Sequence, residues 1–463
     1  MGRDGEWVWQ NRSAPVKGRT ARWRDALRTQ LWPLPVLAVV LAVVLGAALP
    51  ALDAAVDGQL PRSVAGFLFS GGPEAARSVL QAISGSLITV TSLTFSLTVV
   101  TLQLASSQFS PRLLRTFTAD RFVHVTLALF LAAFAFALTV LRSVRVESSG
   151  TTLFVPEISV TVAFGLTLAS VIALVLFLAH LTREIRVETM LQRVDLETRQ
   201  TIDRVFAQDR PARGPEPEPD GEMLRIESTR SGFLTSLEKT LLLDAATSAG
   251  AVIRLDREPG SSLIEGVPFA TAWPAAPGTA FTPANREELQ DRVNAAIGTG
   301  AERTNVQDVG FGFRQLADVA ARALSPGIND PTTAVHVIGH LSVLLCRLAQ
   351  RDPGPEHLTD ETGRIRVVLS LPGMGELLGM AMNQARQYGA ADPAVAARLL
   401  TLLQELAWCD RNGTHRTEIL EHRDRMLETI DAGIYPAAER KQLLDLADAV
   451  DATGPPGSPR LPG

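Results

Sequence analysis

Residues 81–111 read QAISGSLITVTSLTFSLTVVTLQLASSQFSP, an apolar stretch that is crowded with hydroxyl and amide side chains. No charged residue occurs between Arg77 and Arg112. A helix that crosses a bilayer needs about 20 mainly apolar residues, so this stretch is long enough to do so. The sequence therefore predicts an integral membrane protein that is organised around this span.

Helical spacing divides the polar side chains of this stretch into two stripes. The first stripe consists of Ser86, Thr89, Ser96, Gln103, Ser107 and Ser110. The second stripe, on roughly the opposite face, consists of Ser84, Thr91, Thr94, Thr98, Thr101 and Gln108. Small hydroxyl residues let membrane helices pack closely and bond to their own backbone, whereas polar residues that face water line a pore. Both interpretations stay open, and the first stripe supplies the pore-lining candidates.

Three further apolar runs, 31–49, 122–141 and 158–181, bring the predicted number of membrane spans to four. Arginine is concentrated before the first span, between the second and third spans, and after the fourth. The positive-inside rule places these segments in the cytoplasm. The sequence thus predicts a multi-pass protein of the bacterial inner (plasma) membrane with cytoplasmic N- and C-termini.

The four predicted spans contain no Asp, Glu, Lys or Arg. Ion-coupled pumps usually carry such charges inside the membrane, so their absence argues against active transport. A passive channel, a sensor and a plain anchor remain. The net charge of -5 argues against a nucleic-acid partner.

The predicted fold class is an α-helical membrane protein with four transmembrane helices, followed by a cytoplasmic α+β part and a helical bundle. Within the helical part, residues 364–370 read as a short strand. The predicted segments are a basic cytoplasmic N-terminus (1–30), a transmembrane domain (31–181), a cytoplasmic helix extension (182–210), a Pro-rich linker (211–222), a small α+β domain (223–284), a helical domain (285–450) and a disordered tail (451–463).

Cysteine and histidine usage gives no metal or disulfide signature. The two cysteines, Cys346 and Cys409, lie far apart in the sequence and predict neither a disulfide framework nor a zinc cluster. His336 and His340 stand four positions apart on one predicted helix, but no HExxH glutamate and no evident third ligand accompany them. The prediction is therefore that no metal and no cofactor is bound.

The sharpest motif of the soluble half is ALSPGINDPTTA, residues 323–334. Asp330 is a natural N-cap with Pro331 in the first helical turn, which favours a helix–turn–helix joint. A functional alternative is a pocket for a small anionic ligand at the helix N-terminus, helped by nearby arginines. The residues predicted to form a ligand site or a structural latch are Arg303, Asp308, Arg314, Ser325, Asn329, Asp330, Thr332 and Thr333.

Two signatures in this chain resemble those of one family. SSQFSPR (106–112), with Phe95-Ser96 upstream, and ALSPGINDPTTA (323–334) look like motifs of bacterial predicted membrane proteins known as a domain of unknown function. The resemblance extends from the first span to the helical domain and implies a membrane location without an established activity. The chain departs from the family pattern at GFLT (232–235), where a Tyr and a Gln are expected.

Two functions follow from these features as hypotheses. The first is a homo-oligomeric channel or channel-like protein in the lipid bilayer, with a hydroxyl-lined second span and a cytoplasmic regulatory domain. The alternative is a membrane-anchored sensor or scaffold whose cytoplasmic domain binds a small ligand or a partner protein. An enzyme is less favoured, because the sequence has no recognisable set of nucleophile and base.

Overall fold

The computed structural model describes residues 32–56, 68–108, 120–145, 154–184, 186–207, 215–219, 221–276 and 278–453. These residues belong to two compact units, Met1–Arg186 and Val187–Gly463. The basic segment predicted at 1–30, most of the predicted tail and the pore-lining candidate Ser110 lie outside the described residues.

The described residues of the first unit form four long apolar helices. Helix α3 contacts each of the other three helices, and its Phe130 and Phe136 are fully buried. The packing centre of this unit is therefore the third predicted span rather than the second. The helices are α1 (Pro33–Val56), α2 (Pro73–Gln108), α3 (Arg121–Leu141) and α4 (Glu157–Glu184).

Helix α1 runs past its predicted end at residue 49 and includes Asp53. The helix of the first span therefore carries an acidic residue four positions beyond the predicted bound of that span. Asp53 is buried, and its carboxylate accepts hydrogen bonds from the backbone N–H groups of Ile158 and Ser159, both at 3.0 Å. It also accepts one from the Ser159 hydroxyl at 2.6 Å. Asp53 thus caps the N-terminus of α4, where unpaired N–H groups and the helix dipole favour a negative charge.

A second carboxylate joins the other ends of α3 and α4. Asp120 accepts a hydrogen bond from the backbone N–H of Phe122 at 2.9 Å and thereby caps α3. Its other oxygen lies 2.5 Å from Nε2 of His180, near the end of α4. Carboxylates therefore connect helices at both ends of the bundle.

The second unit contains two sheets that both cross the boundary predicted at residue 284. Strand β8 pairs in parallel with β3, and β6 pairs antiparallel with β2. Segments 223–284 and 285–450 therefore share their sheets, so residue 284 does not separate two folding units. The five-stranded order is β1-β5-β3-β8-β7 and the three-stranded order is β4-β2-β6. The strands are β1 (Leu224–Glu227), β2 (Gly232–Leu237), β3 (Ala251–Leu255), β4 (Ser262–Leu263), β5 (Pro268–Pro274), β6 (Ile297–Gly300), β7 (Glu356–Thr359) and β8 (Ile365–Leu369).

The helices of this unit include α5, which the sequence predicted to continue the fourth span. The helix is instead interrupted after α4, and Arg186 is not helical. Helix α5 packs against α8 and α9. Asp203 of α5 accepts hydrogen bonds from Arg347 of α9 at 2.5 and 2.9 Å. The helices are α5 (Val187–Val205), α6 (Lys239–Ser248), α7 (Pro283–Ala295), α8 (Val309–Ala323), α9 (Pro331–Ala349), α10 (Met374–Gly389), α11 (Pro393–Cys409), α12 (Arg416–Ala432) and α13 (Ala437–Ala452).

Candidate functional sites

The two polar stripes of α2 have different surroundings. The second stripe is buried in its described part, because Ser84, Thr91, Thr94, Thr98 and Thr101 are all packed inside the unit. The hydroxyls of Ser84, Thr91, Thr98 and Thr101 donate hydrogen bonds to carbonyls four residues back, at 2.6 to 2.8 Å. The hydroxyl of Thr94 has no hydrogen-bond partner among the described residues. This stripe serves helix packing.

The first stripe, which supplied the pore-lining candidates, lies on the surface of the unit. Ser86, Thr89, Ser96 and Gln103 are exposed, while the side chain of Ser107 lies outside the described part of the helix. The hydroxyls of Ser86 and Thr89 donate to backbone carbonyls of their own helix at 2.7 and 2.9 Å.

Two small residues on the same face of α2, Gly85 and Ser92, extend this stripe and were missed in the sequence. Small side chains allow a second helix to approach closely. Exposed apolar side chains such as Ile88 and Phe95 occupy the neighbouring face. We call the set of Gly85, Ser86, Thr89, Ser92, Ser96 and Gln103 the exposed polar strip.

The joint between α8 and α9 confirms Asp330 as an N-cap. Its carboxylate accepts hydrogen bonds from the backbone N–H of Thr333 at 3.1 Å and from the Thr333 hydroxyl at 2.5 Å. These bonds hold the pKa of Asp330 below its usual value. Asn329 adopts a left-handed backbone with φ of 49°, and Thr332 is exposed. Asp330 therefore already occupies the N–H group that an anion would use at this helix end.

Ser325 belongs to the same joint and donates its hydroxyl to the carbonyl of Arg322 at 2.7 Å. The other predicted residues lie at the opposite end of α8, where Arg303 and Asp308 form a two-point ion pair with distances of 2.8 and 3.0 Å. Buried Asp308 also caps α8 through the backbone N–H of Phe311 at 2.9 Å. Helix α8 has 15 residues. At about 1.5 Å per residue its ends are roughly 22 Å apart, so the eight predicted residues form two groups rather than one site.

The group at the start of α8 contains a carboxyl that the sequence did not reveal. Glu258 is half-buried beside Asp308 and Glu376, and burial followed by those two negative charges raises its pKa to about 7. Arg303 and Arg314 partly offset the effect. The chain turns at Gly260, where a Cβ atom would lie 2.0 Å from Oδ2 of Asp308. This close approach brings the Glu258 loop to the ion pair.

We expect Glu258→Gln to change how stability depends on pH. In the unfolded chain Glu258 loses its proton near its ordinary pKa of 4.5, whereas in the folded chain it does so near 7. The free energy of unfolding therefore falls as the pH rises from about 4.5 to about 7. The decrease is about 2 kcal/mol for this partly exposed group. The variant should be about 2 kcal/mol more stable than the parent at pH 8 and equal to it at pH 4. Chemical unfolding at both pH values checks this; an equal difference at the two would contradict it.

Sequence similarity to known proteins places this chain in a family. Residues 28–405 match the family model described as "Predicted membrane protein (DUF2254)". The chain belongs to this family. Uncharacterized proteins of Mycobacterium bovis and Mycobacterium tuberculosis are each 34% identical to this DUF2254 chain over 392 residues, or 83% of this chain and 73% of the relative. No solved structure matches it. The resemblance drawn from the sequence is thus confirmed at the level of the family.

The histidine pair of this DUF2254 protein faces α5. Nε2 and Nδ1 of His340 lie 3.6 Å from carboxylate oxygens of Glu188 and Asp195, respectively. His336 lies 3.9 Å from Glu188. Within the described part of the chain, no group of three or more His, Cys, Asp or Glu side chains is arranged to hold a metal ion. These contacts tie α5 to α9.

An open groove of about 680 Å³ lies between α9 and α11 in the second unit. Its volume falls in the range of small-molecule sites. Trp408 on its rim is 78% exposed. One guanidinium nitrogen of Arg398, Nη1, is buried and has no hydrogen-bond partner among the described residues. No local pattern in the sequence indicates this groove, because its walls come from helices that are distant in the chain.

Proposed function

We propose that this DUF2254 member is a homo-oligomeric channel or channel-like protein of the bacterial inner membrane. The exposed polar strip on α2 carries the proposal. A polar strip that faces hydrocarbon gains nothing, whereas the same strip is favoured where several copies of α2 surround a water-filled path. Its small residues suit the close approach that such an assembly needs.

The proposed topology has four spans, α1 to α4, and cytoplasmic termini. Among the described residues, five helices are long and apolar enough to cross a membrane, and the fifth is α9. We assign α9 to the soluble unit because it packs against α5, α8 and α11 and its Arg347 is paired with Asp203. The arginine-rich segments support a cytoplasmic position for that unit.

The channel proposal is tested with single cysteines in a Cys346→Ser/Cys409→Ser background, which removes both native thiols. We expect the purified full chain to conduct ions in planar bilayers. A water-soluble methanethiosulfonate reagent should reduce the current of Thr89→Cys and Ser96→Cys by at least about half, since labelled side chains would obstruct a narrow polar path.

Phe95→Cys is the matched control, because Phe95 is exposed on the neighbouring apolar face of the same helix, about 100° of rotation away from Ser96. Its current should not respond to the reagent. An intact oligomer without conductance, or equal block of all three variants, would overturn the channel proposal.

The groove between α9 and α11 favours a second candidate function, a membrane-anchored sensor for a small anionic ligand. Arg398 offers the unpaired Nη1, and Arg347 lines the same groove. We expect inorganic phosphate or ATP to raise the unfolding temperature of the full chain in detergent, and Arg398→Gln to abolish that rise. A flat response of the parent protein to both anions would reject this candidate.

A further inference from the structure

Both cysteines of the chain meet in the groove between α9 and α11. Cys346 lies near the end of α9, and Cys409 is the last residue of α11. Both are half-buried and line the groove, so a reagent in solution can reach them. Helices α9 and α11 pack against each other, so the two thiols face the same groove. The full sequence contains only these two cysteines, so every thiol of the protein lies at this one place.

We infer that Cys346 and Cys409 form a redox-active dithiol, a modification site that a low-molecular-weight disulfide such as glutathione disulfide oxidises. One cysteine thiolate attacks the reagent, breaks its S–S bond and releases one small thiol, which leaves a mixed disulfide on the chain. The second cysteine attacks the mixed disulfide, releases the second small thiol and closes the Cys346–Cys409 bond. Two electrons and two protons pass from the chain to the reagent.

The carboxylate of Glu405 lines the same groove as the two thiols and contributes to how fast the dithiol reacts. Glu405 accepts hydrogen bonds from the Ser342 hydroxyl and from Nη2 of Arg398, the latter at 3.0 Å. Burial is the largest cause that raises the pKa of the Cys346 thiol, the neighbouring Cys409 comes next, and the negative charge of Glu405 adds to both. The thiolate is the reacting species, so Glu405 slows the oxidation. A neutral glutamine at this position keeps the shape of the groove and removes the restraint.

The disulfide would link two helices that pack against each other. A covalent link between α9 and α11 fixes the walls of the groove and therefore controls what can enter it. This inference requires neither the channel nor the sensor, because it depends only on the two thiols and the groove that exposes them.

The test uses the full chain in detergent, titrated with glutathione disulfide under native conditions. We expect the intact mass to fall by two hydrogen atoms, reactive thiols to fall from two per chain to none, and a Cys346–Cys409 linked peptide to appear after digestion. Glu405→Gln should reach the same product faster. Dithiothreitol should restore both thiols.

The single variants Cys346→Ser and Cys409→Ser provide the controls, and each should stop at the glutathione adduct. Separate glutathione adducts on both cysteines of the parent chain, or disulfides only between chains, would overturn the inference. Thiols that react only after the protein is unfolded would overturn it as well.

Discussion

Replacing Asp53 by alanine is expected to lower the free energy of unfolding of the first unit by about 4 kcal/mol. The Asp53 carboxylate accepts hydrogen bonds from three donors at the start of α4, two backbone N–H groups and the hydroxyl of Ser159. Alanine leaves these donors without a partner in a buried position, and each such group costs about 1–3 kcal/mol. Thermal unfolding of the full chain in detergent, or titration with a denaturing detergent, measures the loss.

Two companion variants identify the cause of that loss. Asp53→Asn keeps one acceptor oxygen but removes the charge, so an intermediate loss is expected. Glu157→Gln removes an exposed carboxylate in the first turn of the same helix and should cost less than about 1 kcal/mol. If Asp53→Ala costs no more than Glu157→Gln, the capping role assigned to Asp53 is wrong.

The four apolar helices described in the first unit could be predicted from the sequence because each is a continuous apolar run. The ends of these helices were harder to predict. A carboxylate such as Asp53 indicates the end of an apolar run unless its hydrogen-bond donors are known. The Asp53 partners are more than 100 positions away along the chain. The central position of α3 was also hidden, because all four apolar runs look alike without their contacts.

The second unit shows the same division between local and distant information. The N-cap at Asp330 was predictable, since its partner Thr333 lies three positions away. Strand β6 was not, because its Ile-Gly-Thr-Gly sequence has weak strand propensity and pairs only with distant β2. The raised pKa of Glu258 and the meeting of the two cysteines likewise depend on side chains from different parts of the chain. A single sequence does not show which distant side chains lie close together in the fold.

At Gly312 the usual preference of helices for alanine over glycine is reversed. We expect Gly312→Ala to destabilise the second unit by about 3 kcal/mol. Alanine normally stabilises a helix by up to about 1 kcal/mol relative to glycine. At Gly312, however, a Cβ atom would lie 1.8 Å from Oγ1 and 2.8 Å from Cβ of Thr198 on α5. Helix α5 would have to move away from α8, and overpacking of this kind costs about 1–3 kcal/mol or more.

Gly339 is the matched control, because it lies inside α9 and the nearest atom to its added Cβ would be 3.9 Å away. Gly339→Ala should therefore be neutral or stabilising by up to about 1 kcal/mol. Thr198→Ala removes the Oγ1 atom, so the double variant Thr198→Ala/Gly312→Ala should recover at least about half of the loss, which a double-mutant cycle on the full chain measures. Equal effects of alanine at Gly312 and Gly339, or additive effects of Thr198→Ala and Gly312→Ala, would contradict close packing of α5 on α8. Confirmation would show that α5 packs on α8 through a contact that only glycine permits.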